Sequence, residues 1–161
     1  MPTLDTLRRH AALWLGIVLL NASLTFYNVW PTPKITWLGH LSVELAAALL
    51  AIGLLAGSRG PLGRRGLRRL SAAWTLLVIG RYADTVAPAL YGREINLFWD
   101  VRHLGAVAAM LTDSASRALV LAIAGAVVLL LLVIYLGARL AWGGVAGALV
   151  QPRTRRVAAG L

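Results

Sequence analysis

Apolar residues in this chain come in long runs, not at the short alternation of a strand. A helix crossing ~30 Å of hydrocarbon at 1.5 Å per residue needs about 20 mostly apolar residues. Four stretches meet that length: about 11–30, 37–56, 71–90 and 115–136. Between the third and fourth, Leu97, Val101, Leu104, Ala108 and Leu111 recur at helical spacing, with Asn96, Asp100 and His103 elsewhere around the wheel. That pattern predicts an amphipathic helix over about 95–111 lying on the membrane interface. Thr112 or Asp113 is placed to cap the helix that follows. The expected fold is therefore all-α: a polytopic membrane protein with four transmembrane helices and one interfacial helix, forming a single helical membrane domain over 1–161. The run Gly57-Ser58-Arg59-Gly60-Pro61-Leu62-Gly63 breaks the helical pattern and is expected to connect the second and third spans.

Composition agrees with this class. Of the 161 residues, 59% are hydrophobic and only 14% are charged, against roughly 25% charged in soluble domains. Cysteine is absent, which excludes disulfides, thiolate metal sites and a cysteine nucleophile. The formal net charge of +10 raises the question of nucleic acid. The arginines cluster at the ends of apolar runs without interleaved aromatic residues, so membrane orientation explains them better and no nucleic acid is expected.

Basic residues also orient the spans, because loops rich in Lys and Arg stay cytoplasmic. Arg8 and Arg9 precede the first run, Arg59, Arg64, Arg65, Arg68 and Arg69 fill the second loop, and Arg139, Arg153, Arg155 and Arg156 follow the fourth run. The opposite side has Lys34, Arg93, Arg102 and Arg117. Both termini are thus expected in the cytoplasm of a multi-pass protein, in the bacterial inner membrane. Trp30, Trp37 and Trp142 fall near run ends, as an interfacial aromatic belt requires. Arg8 and Arg9, the apolar run after Ala11 and the small residues around Ala22 also outline a signal peptide. Continuation of the apolar run to Trp30 favours a retained span.

Charges inside the runs need a reason. Each buried Arg or Asp costs roughly 2.5–3.5 kcal/mol on insertion scales, so such residues are normally paired and mark polar sites. Arg81 and Asp84 lie in the third run and Glu44 in the second, at estimated depths of about 13, 9 and 10 Å below the outer boundary. His40 is one turn above Glu44, and Asn21 and Asn28 would share a face of the first helix. With Tyr91, Arg93, Asn96, Asp100, Arg102 and His103 from the outside segment, these residues predict one outward-facing polar pocket. Asn28, His40, Glu44, Arg81, Asp84, Arg93, Asp100 and His103 are its candidate ligand-binding residues. Arg81 is expected to pair with Glu44 or with Asp84. A purely structural role, in which the charges pin the spans together, competes with ligand binding. A divalent metal held by His40, Glu44, Asp84 and His103 is conceivable, since helical His-x-x-x-Glu puts two side chains on one face, but this is a weak signal without ligand distances, and no cofactor or metal is expected. Close helix approach is permitted by Gly53 with Gly57 and Gly143 with Gly147. Asn21-Ala22-Ser23 matches the glycosylation tripeptide, though a predicted span would hide it.

Several motifs have a recognisable texture: Asn28-Val29-Trp30-Pro31-Thr32-Pro33, Leu41-Ser42-Val43-Glu44-Leu45, Arg81-Tyr82-Ala83-Asp84-Thr85-Val86-Ala87-Pro88-Ala89-Leu90-Tyr91-Gly92-Arg93 and Asn96-Leu97-Phe98-Trp99-Asp100-Val101-Arg102-His103-Leu104. Together, over about 20–140, they resemble the N-terminal membrane region of bacterial sulfatase-like hydrolases or transferases, the group that includes lipoteichoic acid synthases and phosphoethanolamine transferases. The resemblance implies several spans followed by an extracytoplasmic catalytic domain with a divalent metal and a Ser or Thr nucleophile. None of that domain's motifs is present, so no catalytic residue transfers to this chain. Four spans would return the chain to the cytoplasm, and Val157-Ala158-Ala159-Gly160-Leu161 reads as the start of a further apolar segment.

The expected function is that of an inner-membrane module without catalysis of its own. It would anchor or serve a periplasmic sulfatase-like domain or partner and bind lipid headgroups in the polar pocket. Arg81 or Arg93 would hold a phosphate while Glu44 and Asp84 orient Arg81. The alternative is a small transporter or channel subunit, homo-oligomeric because four spans are few, with Glu44, Arg81 and Asp84 lining the path. An intramembrane enzyme using Glu44, Asp84 and His103 has no motif behind it.

Overall fold

The computed structural model describes residues 4–28, 34–60, 62–92 and 96–149. The chain is mostly helical, with α1 (Leu4–Ala22), α2 (Val43–Arg59), α3 (Arg64–Tyr91), α4 (Leu97–Ser114) and α5 (Arg117–Leu149), and a hairpin of β1 (Phe26–Asn28) and β2 (Ile35–Trp37) between α1 and α2. Among the described residues only α5 is both long and apolar enough to cross a membrane. The four-span architecture is therefore overturned, and the hairpin departs from an all-α fold.

Each lost span has a local cause. The first apolar run is cut at Ala22, where α1 gives way to a turn and then to β1. Its apolar part after Arg9 and His10 is roughly 18 Å long at helical rise, well short of the hydrocarbon thickness. Phe26, Tyr27, Ile35, Thr36 and Trp37 are aromatic or β-branched and suit a strand. They pair antiparallel as Phe26 with Trp37, Tyr27 with Thr36 and Asn28 with Ile35. The second run starts late, because Ser42 caps α2 by accepting from the Leu45 amide at 3.2 Å. The remaining apolar stretch, Val43–Ala56, is again short. The helix itself continues past Gly57 to Arg59 and stops at Gly60, where φ of 81° turns the chain. In the third, arginines occupy the first turns of α3 and Arg81 interrupts its apolar middle.

The core is formed where α1, α2, α3 and the second half of α5 meet. Leu13, Leu20, Leu24, Leu45, Ile52, Trp74, Ala138, Ala141, Trp142, Val145 and Ala148 form one buried cluster. Trp74 and Trp142 meet edge to face at 5.1 Å between ring centroids, an arrangement the aromatic quadrupole favours. Trp142, expected at the membrane interface, is instead fully buried. Trp37 is exposed and donates from Nε1 to the Ala22 carbonyl at 3.1 Å, while Trp30 lies outside the described residues.

Small residues bring α1 and α5 together. A Cβ on Gly16 would stand 2.8 Å from the Ala141 carbonyl oxygen, and one on Gly144 would stand 3.0 Å from that of Ala12. The two contacts run in opposite order along the helices, so α1 and α5 are antiparallel. Gly53, Gly143 and Gly147 have no such neighbour, so the spacings singled out in the sequence are not the ones that pack.

The first half of α5 behaves differently. Every residue from Leu121 to Val133 is exposed, and none of the most apolar window of the helix is buried. Residues 101–110 of α4 are likewise exposed all round, so this stretch shows no face buried against the rest. α4 continues to Ser114, and the cap of α5 comes from Ser116, whose Oγ accepts from the Leu119 amide at 3.3 Å, instead of from Thr112 or Asp113. α5 in turn continues past Arg139 to Leu149.

The α1–α5 contact predicts an asymmetry between glycines. Gly16→Ala should destabilise the bundle by about 1–3 kcal/mol, because the backbone of α5 must shift. Gly53→Ala should be neutral or stabilising by about 0.5–1 kcal/mol, since it removes only helix-interior flexibility. Thermal unfolding in detergent, followed by circular dichroism, measures both.

Candidate functional site

The site begins at the end of α1. Helix C-termini leave carbonyls without partners, and here neighbouring side chains supply them. Thr25 donates from Oγ1 to the Asn21 carbonyl at 2.9 Å, and Ser23 donates to that of Leu20 at 2.7 Å. Ser23 also accepts from the Trp74 indole at 3.0 Å, which ties α3 to the same point. The Asn21 amide joins α1 to the start of α2. Its Nδ2 donates to the His40 carbonyl at 3.0 Å and its Oδ1 accepts from the Ser42 amide at 2.8 Å. The side chain within the glycosylation tripeptide is thus engaged at both ends.

This junction sets His40, Ser42 and Glu44 against α3. Between them lies a cavity of about 410 Å³, walled by Leu24, Leu41, Val43, Leu76 and Leu77 and carrying His40, Glu44, Arg81 and Asp84. These four candidates come together as the sequence suggested, although by a different route. His40 precedes α2 instead of lying a turn above Glu44 within it, and Glu44 is in the first turn of α2.

The expected pairing of Arg81 is not what orients it. Its guanidinium donates to the Phe26 carbonyl on β1 at 3.3 Å, and its Nε is buried with no acceptor. Among the described residues it makes no ion pair with Glu44 or Asp84. Both carboxylates are exposed at the rim. Glu44 accepts from the Ser42 hydroxyl at 2.6 Å. That bond, together with its own backbone amide and at longer range Arg81, holds its carboxyl below the ordinary value of 4.5 against a smaller opposing effect of burial.

The other candidates fall elsewhere. Asn28 is on β1, not on a helical face shared with Asn21, and its Oδ1 is buried without a partner. Asp100 accepts from the Asn96 amide at 2.9 Å while Asn96 Oδ1 accepts from the Trp99 amide at 3.4 Å. This reciprocal arrangement closes the start of α4 in the manner of a capping box. His103 is exposed on α4 and does not line the cavity. Arg93 lies outside the described residues. Among the described residues no group of three or more His, Asp or Glu side chains is arranged to hold a metal ion.

Sequence reading missed Asn21 as an organiser and Ser42 as the residue that caps α2 and contacts Glu44. The signal for Ser42 was present, as a Ser immediately before an apolar helical run. No protein family, curated protein or solved structure matches the chain, so none bears on the resemblance to sulfatase-like membrane regions.

Two measurements test this local architecture. Asn21→Leu should cost about 1–3 kcal/mol of stability, because the Ser42 amide loses its acceptor, and hydrogen exchange at that amide should accelerate. The lowered Glu44 carboxyl contributes stability that is present above its unfolded pKa and lost as pH falls through the folded value. Ser42→Ala should move the Glu44 titration midpoint, read by NMR, upward toward 4.5.

Proposed function

We propose that this chain is a membrane-anchored helical module, held in the bilayer by α5, whose cavity binds a phosphate-bearing lipid headgroup. The observation that carries the reading is the bare half of α5. A helix exposed and apolar on all sides from Leu121 to Val133 exceeds the few hundred Å² of contiguous apolar surface that soluble monomers tolerate. A hydrocarbon surrounding covers every side of such a helix at once. At about 50 Å, α5 is longer than the hydrocarbon core is thick, so its second half can take part in the bundle while its first half contacts lipid.

The cavity supplies the binding half of the proposal. Arg81 is held by one hydrogen bond to Phe26 and keeps donors unused, including Nε. A headgroup phosphate oxygen accepting from it makes a charge-assisted bond. The leucine wall suits the apolar part of a lipid next to its headgroup. Glu44 and Asp84 at the rim disfavour polyanions and limit the site to a small anionic group. Their exposure also favours binding over conduction, since a path through the bundle requires such groups inside it. In this role the module serves a partner enzyme by presenting lipid, and no catalytic step is assigned to it.

Anchor and pocket are separately testable. Val128→Arg with Leu130→Arg places two charges on the bare half of α5, at roughly 2.5–3.5 kcal/mol each at the bilayer centre. The doubly substituted chain should be released by alkaline carbonate while the parent chain is retained. For the pocket, dihexanoyl phosphatidic acid should produce a saturable shift of the Gly80 amide resonance. Affinity should fall about tenfold or more in Arg81→Ala, as expected for losing a bond to a charged group, and less in Arg81→Lys. Equal affinity in Arg81→Ala defeats the headgroup reading.

A further inference from the structure

The close approaches of α1 and α5 fix where the bundle meets the bare half of α5. Gly16 faces Ala141 and Ala12 faces Gly144, and continuing that antiparallel pairing brings Ala22, the last residue of α1, level with roughly residue 135 of α5. The bare stretch ends at Val133, so it projects from the bundle just where α1 stops. Leu24 and Thr25, which follow α1, line the Arg81 cavity. The hairpin is tied to the same point, through Trp37 Nε1 donating to the Ala22 carbonyl at 3.1 Å and the Leu38 amide donating to that of Thr25 at 2.8 Å. Cavity, hairpin and the root of the bare helix therefore occupy one end of the bundle.

That end exposes apolar side chains that its own fold leaves uncovered. Trp37 is 63% exposed and Val43 79%, and Tyr27, Ile35 and Leu41 are exposed as well. The strand register puts Ile35 and Trp37 on one face of the hairpin and Tyr27 on the other. A protein partner docked on the hairpin would cover one face and leave the other in water, whereas lipid surrounds both. The indole N–H of Trp37 is already satisfied by Ala22, so the ring can leave water without stranding a donor. Trp and Tyr favour the headgroup level of a bilayer. Insertion has to be shallow, because a two-stranded sheet leaves backbone groups unpaired along its outer edges, and hydrocarbon does not tolerate them.

We propose that the β1–β2 hairpin and the residues leading into α2 are a second membrane contact, seated at the boundary between headgroups and acyl chains of the leaflet nearer the bundle. The contact presupposes α5 as the anchor, as proposed above, and does not depend on the chemistry of the pocket. Leu41 and Val43 belong to this surface and also line the cavity, so the seating puts the cavity mouth at headgroup level.

The chain has no cysteine, so single sites can be labelled with a nitroxide. Four full-length variants are reconstituted separately in phosphatidylcholine bilayers: Val128→Cys on the bare half of α5, Ile35→Cys and Val43→Cys on the proposed contact, and Arg65→Cys in the first turn of α3 at the opposite end. Relaxation of each label by oxygen is compared with relaxation by a water-soluble nickel chelate. The oxygen-to-nickel ratio should be highest at Val128, and at Ile35 and Val43 severalfold above that at Arg65, corresponding to a depth of about 5–10 Å. A deep Val128 with Ile35 and Val43 as open to nickel as Arg65 overturns this contact and leaves the anchor standing. Nickel access at Val128 equal to that at Arg65 removes the anchor and this contact with it. Dipolar broadening at Ile35 that disappears on dilution with unlabelled chain assigns the face to a second copy and overturns the proposal as well.

Discussion

The two hydrogen bonds of the Asn21 side chain hold the cavity end of this molecule together. One amide group at the last turn of α1 grips the His40 carbonyl and the Ser42 amide at once, and so fixes where α2 begins. Because Ser42 is also the N-cap of α2 and the partner of Glu44, the position of a cavity carboxylate follows from an amide on another helix. The Ser23 hydroxyl extends the same junction to α3 through Trp74, and the Trp74 ring continues it to α5 through Trp142. Polar satisfaction at one helix end thus leads without interruption into the apolar core.

Four of the candidate residues were legible as neighbours, though not for the reason that singled them out. Arg81, Asp84, Glu44 and His40 stood out as charged or polar groups in apolar runs read as membrane spans; the runs are not spans, yet the fold brings these four to one cavity. Their partners were not legible. Arg81 meets a backbone carbonyl, and backbone groups leave no trace in side-chain patterns. Asp100 and His103 were drawn into the same cluster because the segment holding them follows α3 closely in sequence. Asp100 turns out to close a helix start, a local task that Asn96 four residues earlier signalled.

The fold was less legible because hydropathy measures how apolar a run is, not whether it stays helical. The run ending at Trp30 is apolar enough, but Phe26 to Asn28 pair with Ile35 to Trp37 across a segment containing Pro31 and Pro33. The run after Trp37 is likewise long enough, but Ser42 takes the first amides and starts the helix late. Long-range pairing and capping decided both boundaries. The last run shows the opposite failure: α5 outlasts its predicted end, since Gly144 and the alanines around it are small enough to pack on α1 at Ala12 and Gly16.

α5 is therefore shared between two surroundings, with its bare residues in one stretch and its buried residues in the next, and it runs from Arg117 to Leu149 as one helix without proline. A continuous rod gripped at one end acts as a lever. Because α1 approaches it closely at Gly16 and Gly144, where no side chain separates the two backbones, a change in the tilt of the free stretch is passed to the gripped bundle. With α5 anchored in a bilayer as proposed, the Asn21 junction and the cavity beside it would ride on that movement, and bilayer thickness would become a coordinate that sets where the charged rim points.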